Sequence, residues 1–491
     1  MESLRGPTAT TFLANLVILG GATLAGALSA RALGPAGRGE LAIVALWSLL
    51  IQTAGSLGLH SSCSYHLARW PHRRAALVTW FKRIAAVQAV AMTAVSIAVL
   101  WWFHLRRGVG TLLTVEYTSW AAAATIGLYG VMYAQGSSDF ARFNRTRLIA
   151  SAMPGALIAV GTLALRLTPA ETGAAYLIPT WCSAGLAARW LHRASRGARD
   201  APLSPGELRS VWSYGWRSVA SLSGLLVNTS ADQYTLGFLG SASSLGLYSV
   251  GASAAAPMPT LIASLGMVGL PTIAPLTGRA KAKAAWRTLR RAACLLVLLA
   301  PPAAALLPWA IPWVFGARYS AAVVPAEVLL LGSCFAALTT VVDALLRAYG
   351  LPGFVCVTQG AGGILTIAGT LLIGGRPLRA VALVSSLGFA VTFVLALARL
   401  WAVTRTSRRA PGTAAPYLTR ARAADAPYQP AHARPRSVPV GSTLPPGGSR
   451  SRRHRSLVPW PSRFTVAARQ VHADLGAADR RSRARGRHAG L

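Results

Sequence analysis

Five small or polar residues recur through an otherwise largely apolar run, WSYGWRSVASLSGLLVNTSADQYTLGFLG, at residues 212–240. Arg217, Ser221, Gly224, Asn228 and Asp232 are spaced 4, 3, 4 and 4 apart. At about 100° per residue, all five fall within about 80° of one helix face. A guanidinium, a carboxylate, a carboxamide and a hydroxyl on one face suit non-covalent recognition: charge-assisted bonds to phosphate from the arginine, hydrogen bonds to hydroxyls from the others. An ionisable residue inside an apolar span is costly and faces the protein interior or a wet cavity. The stripe therefore predicts the wall of a polar cavity, with Gln233 beside it. Interhelical hydrogen bonding, with Arg217 snorkelling to an interface, is the competing explanation.

Weaker stripes lie elsewhere. Ser48, Gln52 and Ser56 recur at i, i+4, as do Thr11 and Asn15. Gln52 and Asn15 join the candidate binding set, although polar glue between helices explains both stripes equally well. Asp343 and Arg347, four apart, predict a local ion pair. Arg31 and Arg38 mark the end of one apolar run and the approach to the next. His60, His66, His72 and His104 sit at run ends or in loops, where interfacial anchoring is the expected role.

Covalent chemistry finds little support. There is no Gly-rich loop ending in Lys-Ser/Thr, no HExxH and no GxSxG, and all thirteen acids are isolated in sequence. The five cysteines show no metal-ligand or disulfide spacing. No catalytic residue, metal or cofactor is assigned, and an enzyme is disfavoured.

The elements that must position these residues are membrane helices. Of the 491 residues, 53% are hydrophobic and 13% charged, about half the charge of a soluble domain. Apolar runs of about 20 residues, long enough to cross a hydrocarbon core, recur throughout. Twelve spans are predicted, near 11–31, 41–60, 84–103, 112–134, 148–168, 173–190, 211–236, 245–272, 292–315, 326–348, 354–374 and 380–403. Counted by loop with the N-terminus inside, 21 Lys+Arg fall on one side and 8 on the other before the tail. The positive-inside rule then predicts a multi-pass protein of the bacterial inner membrane with both termini cytoplasmic. The net charge of +36 reflects this topology and a basic tail, so no nucleic-acid partner is expected.

The halves resemble each other. LGPAGRGEL (33–41) and LGSASSLGL (239–247) are offset by 206, with Ser-Leu-Gly at 56–58 and again at 264–266. The predicted organisation is a six-helix bundle over 1–195, a cytoplasmic linker at 196–210, a second bundle over 211–403 and a disordered tail at 404–491. That tail holds ten prolines and 18 of the 49 Lys+Arg, a composition that cannot bury a core.

Three stretches carry a family resemblance. ARALGPAGRGELAIVALWSLLIQTAGSLGLHSSCSYHLAR (30–69), NTSADQYTLGFLGSASSLGLYSVGASAA (228–255) and LLPWAIPWVFGARYSAAVVPAEVLLLGS (306–333) resemble segments of bacterial O-antigen-type polysaccharide flippases. These belong to the multidrug/oligosaccharidyl-lipid/polysaccharide exporter superfamily. The resemblance implies an all-α fold of about twelve transmembrane helices in two six-helix bundles around a central cavity. It also implies alternating access, moving a polyprenyl-pyrophosphate-linked oligosaccharide from the cytoplasmic to the periplasmic leaflet for surface polysaccharide synthesis. Arg217 would then meet phosphate, and Asn228, Asp232 and Gln233 sugar hydroxyls. Polymerases or glycosyltransferases of the same pathway would be partners. The alternatives are a cation-coupled small-molecule exporter of the same superfamily and a polyprenol-dependent membrane glycosyltransferase or polymerase.

Overall fold

A computed structural model describes residues 7–164, 167–196, 202–263, 273, 276–374 and 377–409. The predicted tail lies almost wholly outside the described residues. Thirteen α-helices are described: α1 (Pro7–Gly55), α2 (Leu59–Arg69), α3 (Arg74–Arg107), α4 (Thr111–Thr118), α5 (Trp120–Gly136), α6 (Phe140–Ala164), α7 (Pro169–Ser195), α8 (Pro205–Leu239), α9 (Ala242–Ala255), α10 (Gly278–Phe315), α11 (Val323–Ala348), α12 (Pro352–Leu372) and α13 (Leu378–Arg409). No strand occurs among the described residues. The protein is an all-α, multi-span membrane protein.

Local chemistry explains the breaks. In α1, Gly34 adopts φ 65°, ψ −179° and is followed by Pro35. Only a glycine takes that φ without strain, and the proline cannot continue the ladder of the preceding turn. The first two predicted spans are thus two limbs of one bent element. Across the bend, Arg38 Nη1 donates to Ser29 Oγ at 2.9 Å. Both α7 and α8 open on a complete capping box with proline in the first turn, Thr168–Glu171 and Ser204–Glu207.

Eight helical segments are long and apolar enough to cross a membrane among the described residues, fewer than the twelve spans predicted. The two limbs of α1 count as one segment. The stretch 112–134 is divided between α4 and α5 at Ser119. The stretches 173–190 and 211–236 lie in α7 and α8, helices too polar to qualify by apolarity. Strongly exposed apolar residues such as Val90 (73%), Leu163 (90%) and Val297 (75%) need a hydrocarbon surround.

Contacts join the two sequence halves at both ends of α8. At what we term the Gly34 end, a Cβ on Gly39 would collide with the Ala242 carbonyl, and one on Gly246 with the Pro35 carbonyl. Ala242 and Gly246 lie 207 positions after Pro35 and Gly39, so each contact is the mirror of the other. This reciprocity gives the internal repeat a spatial meaning and moves its register by one from the sequence offset of 206. Around the glycine seam, Arg31 donates to the Val314 carbonyl at 2.8 Å and to that of Trp313. Tyr319 Oη donates to the Ala30 carbonyl at 3.0 Å, and Arg107 to that of Gly240 at 3.2 Å.

At the opposite, Arg73 end, α2 packs on the start of α8. Ser62 Oγ donates to the Val211 carbonyl at 2.9 Å, and the buried His66 ring meets Ser210 Oγ at 3.1 Å. Arg73 pairs with Glu207.

Candidate functional site: a polar cavity between the halves

A cavity of about 600 Å³ lies between these two seams. Its first-half wall is the second limb of α1 from Arg38 to Leu49, with Tyr117 of α4 and Tyr176 of α7. The second-half wall is built from α8, α9, α11 and α12 with Phe389 of α13, and its polar residues include Asn228, Asp232, Gln233, Ser249 and Gln359.

The deep part of α8 carries the chemistry. Asp232 is 4% exposed. Its Oδ2 accepts the Tyr248 hydroxyl at 2.5 Å, and its Oδ1 the Gln233 N–H at 2.7 Å. Asn228 Nδ2 donates to Gln359 Oε1 at 2.6 Å and to Thr392 Oγ1 at 3.3 Å. Gln359 Nε2 in turn donates to Asp343 Oδ2 at 2.9 Å. A polar chain thus runs from α13 through α8 and α12 to α11, inside a largely apolar bundle. Along it, two buried acceptors have no partner among the described residues, Asn228 Oδ1 and Asp343 Oδ1. Unsatisfied buried acceptors of this kind are the natural seats for a cation, a proton or a ligand hydroxyl.

Three of the sequence candidates, Asn228, Asp232 and Gln233, therefore line the cavity. Arg217 does not. It is exposed, eleven residues along α8 toward the Arg73 end, and donates to Ser213 Oγ at 2.5 Å. Helical phase put it on the correct face, but about 16 Å of helix rise separates it from Asn228. The Ser221 side chain lies outside the described residues. Gln52 is buried beside Thr53, whose hydroxyl approaches its Oε1 at 3.4 Å, and it is not a cavity residue. Asn15 is exposed on the first limb of α1, also away from the cavity. Neighbours in these stripes do serve as glue: Gln88 Nε2 donates to the Ser56 carbonyl at 3.1 Å, and Asn144 to Thr11 Oγ1 at 3.2 Å. The predicted Asp343–Arg347 pair makes no contact within 4.0 Å among the described residues: Asp343 Oδ2 accepts from Gln359 instead, and the exposed Arg347 acts on the carboxylate only at longer range.

Sequence reasoning missed Arg38, Gln359 and Thr392. Its position between two apolar runs marks Arg38 as a boundary residue, yet the bend at Gly34 folds it into the cavity. Gln359, inside an apolar span, carried a usable signal in its residue type alone.

No family model matches the sequence, and no curated protein sequence does. Solved structures do. A multidrug resistance MATE family transporter of the MOP superfamily, inward-facing, aligns with TM-score 0.63 at 16% identity, covering 78% of this chain and 96% of its own. The lipid II flippase MurJ in an inward closed conformation aligns with TM-score 0.64 at 11% identity, covering 80% and 87%. An outward-facing MATE transporter scores 0.54 at 14% identity, covering 83% and 98%. The chain has the fold of the MOP-superfamily transporters and flippases.

Proposed function

We propose that the protein is a lipid-linked oligosaccharide flippase of the O-antigen type. It turns a polyprenyl-pyrophosphate-bound glycan from the cytoplasmic to the outer leaflet, without covalent catalysis. The observation that carries this reading is the cavity itself. It lies between the halves, presents one guanidinium and a row of amides, hydroxyls and a carboxylate, and falls in the size range of ligand sites. A diphosphate and sugars crossing hydrocarbon lose their water partners at a cost of several kcal/mol per group. Side chains of this kind replace those partners while the prenyl tail stays in the bilayer. Alternating opening of the two seams supplies the movement. The positive-inside count supports cytoplasmic termini.

The test is reconstitution in liposomes with a fluorescent polyprenyl-pyrophosphate oligosaccharide, scored by its protection from a membrane-impermeant quencher. Protein-dependent exchange between leaflets supports the proposal. Its absence for several glycans, alongside gradient-driven efflux of small cations, favours a cation-coupled exporter. The buried Asp232 and Asp343 are the specific observation in favour of that second reading.

A further inference from the structure

A second cavity, of about 580 Å³, shares no lining residue with the polar one. It is a groove between one face of α3, from Ile84 to Val99, and one face of α1, from Trp47 to Gly55, with Trp212 of α8 at its side. Along α3 the lining residues recur every three or four positions, and Val87 and Val95 among them are exposed. The groove therefore opens sideways, into the hydrocarbon. Its one carboxamide, Gln88, is already spent. Nε2 donates to the Ser56 carbonyl at 3.1 Å, and Oε1 accepts the Tyr129 hydroxyl at 2.8 Å. Such a groove offers little to water or a sugar and suits a hydrocarbon chain.

Length and ends narrow the class of chain. The groove's fifteen-residue rise along α3 is about 22 Å, at about 1.5 Å per residue. Its eight-residue rise along α1 is about 12 Å. One leaflet of the hydrocarbon core is about 15 Å deep, so the groove matches a chain that stays in a single leaflet. Trp47 stops its inner end, with its ring packed on Phe103 at 5.2 Å and Tyr234 at 5.9 Å. A methyl-branched polyprenyl tail that crosses the bilayer midplane exceeds that reach.

The other end lies on the Arg73 side, where Trp80 of α3 meets Trp212 edge-on at 6.1 Å. Arg83 stands one turn along α3 from Trp80, and Arg209 one turn before Trp212 on α8; both are exposed. Neither has a carboxylate within 4.0 Å among the described residues, and Glu207, two residues before Arg209, is held by Arg73. Two unneutralised guanidinium groups at the mouth of an apolar groove match a lipid with an anionic headgroup. The positive-inside count puts this mouth in the cytoplasmic leaflet.

We propose that the groove seats one acyl chain of an anionic phospholipid from that leaflet, with the headgroup phosphate between Arg83 and Arg209. Because α1 and α3 belong to the first half and Trp212 to the second, the bound chain touches both. Its occupancy is thereby linked to their separation at the Arg73 end. The site is independent of whatever ligand enters the polar cavity.

The experiment irradiates the purified, full-length protein in detergent with phosphatidylglycerol or phosphatidylcholine of identical chains, each carrying a diazirine midway along one chain. In the wild type, crosslinks should map to residues 47–57 and 84–99, and phosphatidylglycerol should give at least tenfold more at equal concentration. Arg83→Gln combined with Arg209→Gln should bring phosphatidylglycerol down to the level of phosphatidylcholine. Ala91 lines the groove and is exposed, so Ala91→Phe fills the groove without entering a core and should cut crosslinking by both lipids at least tenfold. Crosslinks mapped elsewhere in the wild type overturn the site. Equal yields from the two lipids, or an undiminished preference in the arginine double variant, overturn the anionic headgroup. Displacement of phosphatidylglycerol by a polyprenyl diphosphate at lower concentration than by unlabelled phosphatidylglycerol overturns the choice of a membrane phospholipid. Full crosslinking in Ala91→Phe overturns the groove as the seat. If that variant has lost its thermal unfolding transition, the wild-type crosslink map and the arginine double variant decide instead.

Discussion

Arg73 and Glu207 form a two-pronged ion pair that ties the α2–α3 junction to the start of α8. Nε meets Oε1 at 3.0 Å, and Nη2 meets Oε2 at 3.1 Å. Glu207 also closes its own capping box, with Oε2 accepting the Ser204 N–H at 2.7 Å. One carboxylate thus holds together a helix start and a contact between the sequence halves. The Arg73 guanidinium, with the Ser204 N–H behind it, holds the Glu207 carboxyl down at about 2, from an ordinary value near 4.5.

A depressed carboxyl contributes stability that is present above its unfolded value and is lost as pH falls through the folded one. The Arg73–Glu207 latch should therefore be intact at pH 7 and weaken between about pH 4.5 and about pH 2. Thermal unfolding in detergent across that window should show a decline in midpoint that is reduced in Glu207→Gln. The glutamine keeps the capping geometry but has no charge to titrate. An undiminished acid slope in the variant would place the acid sensitivity elsewhere.

The reciprocal glycine seam leads to a prediction about conformation. Neither Gly39 nor Gly246 has room for a Cβ against the facing backbone carbonyl. Overpacking typically costs about 1–3 kcal/mol, which is a roughly 5–150-fold shift in a two-state equilibrium. Gly39→Val or Gly246→Val should populate a form opened at this end, read as a widening between spin labels at Thr111 and Ser243. Gly26, with nothing within 4 Å of a built Cβ, is the control and should leave the distances unchanged on substitution to alanine. Equal distances in all variants would remove the seam as a gate.

Much of the architecture was legible in the residues because it rests on short-range rules. The apolar runs identified most of the membrane helices, and the Thr168–Glu171 and Ser204–Glu207 boxes mark helix starts. Phase put Asn228 and Asp232 on the helix face that meets the cavity. What failed needed the third dimension. Phase reports the face of a helix but not the depth, so Arg217 shared the stripe and not the cavity. Arg38 enters the cavity through a bend at Gly34 that hydropathy does not encode. Gln359 and Thr392 meet Asn228 across sequence separations of 131 and 164 residues, which no local pattern reports.

The placement of Arg217 gives a direct contrast in transport. Its side chain is exposed and engaged by Ser213, so Arg217→Ala should change the transport rate by less than about threefold, since surface substitutions usually stay within about 0.5 kcal/mol. In the same liposome assay Asn228→Ala should lower the rate by about tenfold or more, because it removes the donor to both Gln359 and Thr392 and leaves their acceptors buried. A severe loss in Arg217→Ala at normal membrane abundance would return that residue to the site.

Asp232 and Tyr248 allow charge and hydrogen bonding to be separated. Their 2.5 Å contact is buried, and the Gln233 N–H occupies the other carboxylate oxygen. In Asp232→Asn the amide oxygen must stay toward the Gln233 N–H, which turns the amide nitrogen toward Tyr248 and forces the phenol from donor to acceptor. Shape is kept and charge is lost. Tyr248→Phe does the reverse, keeping the charge while removing one hydrogen bond to it, worth about 1.5–3 kcal/mol. If Asp232 couples transport to a proton or cation gradient, Asp232→Asn should abolish the gradient dependence, whereas Tyr248→Phe should retain it at a reduced rate. If Asp232 serves only to hold the carbohydrate side of a ligand, both variants should slow transport by about tenfold and both should respond to the gradient as the wild type does. Double-mutant analysis adds a check independent of transport. Residues in direct contact couple by about 0.5–3 kcal/mol, so the two substitutions should be non-additive in thermal stability, and strict additivity would mean that the contact carries no energy of its own.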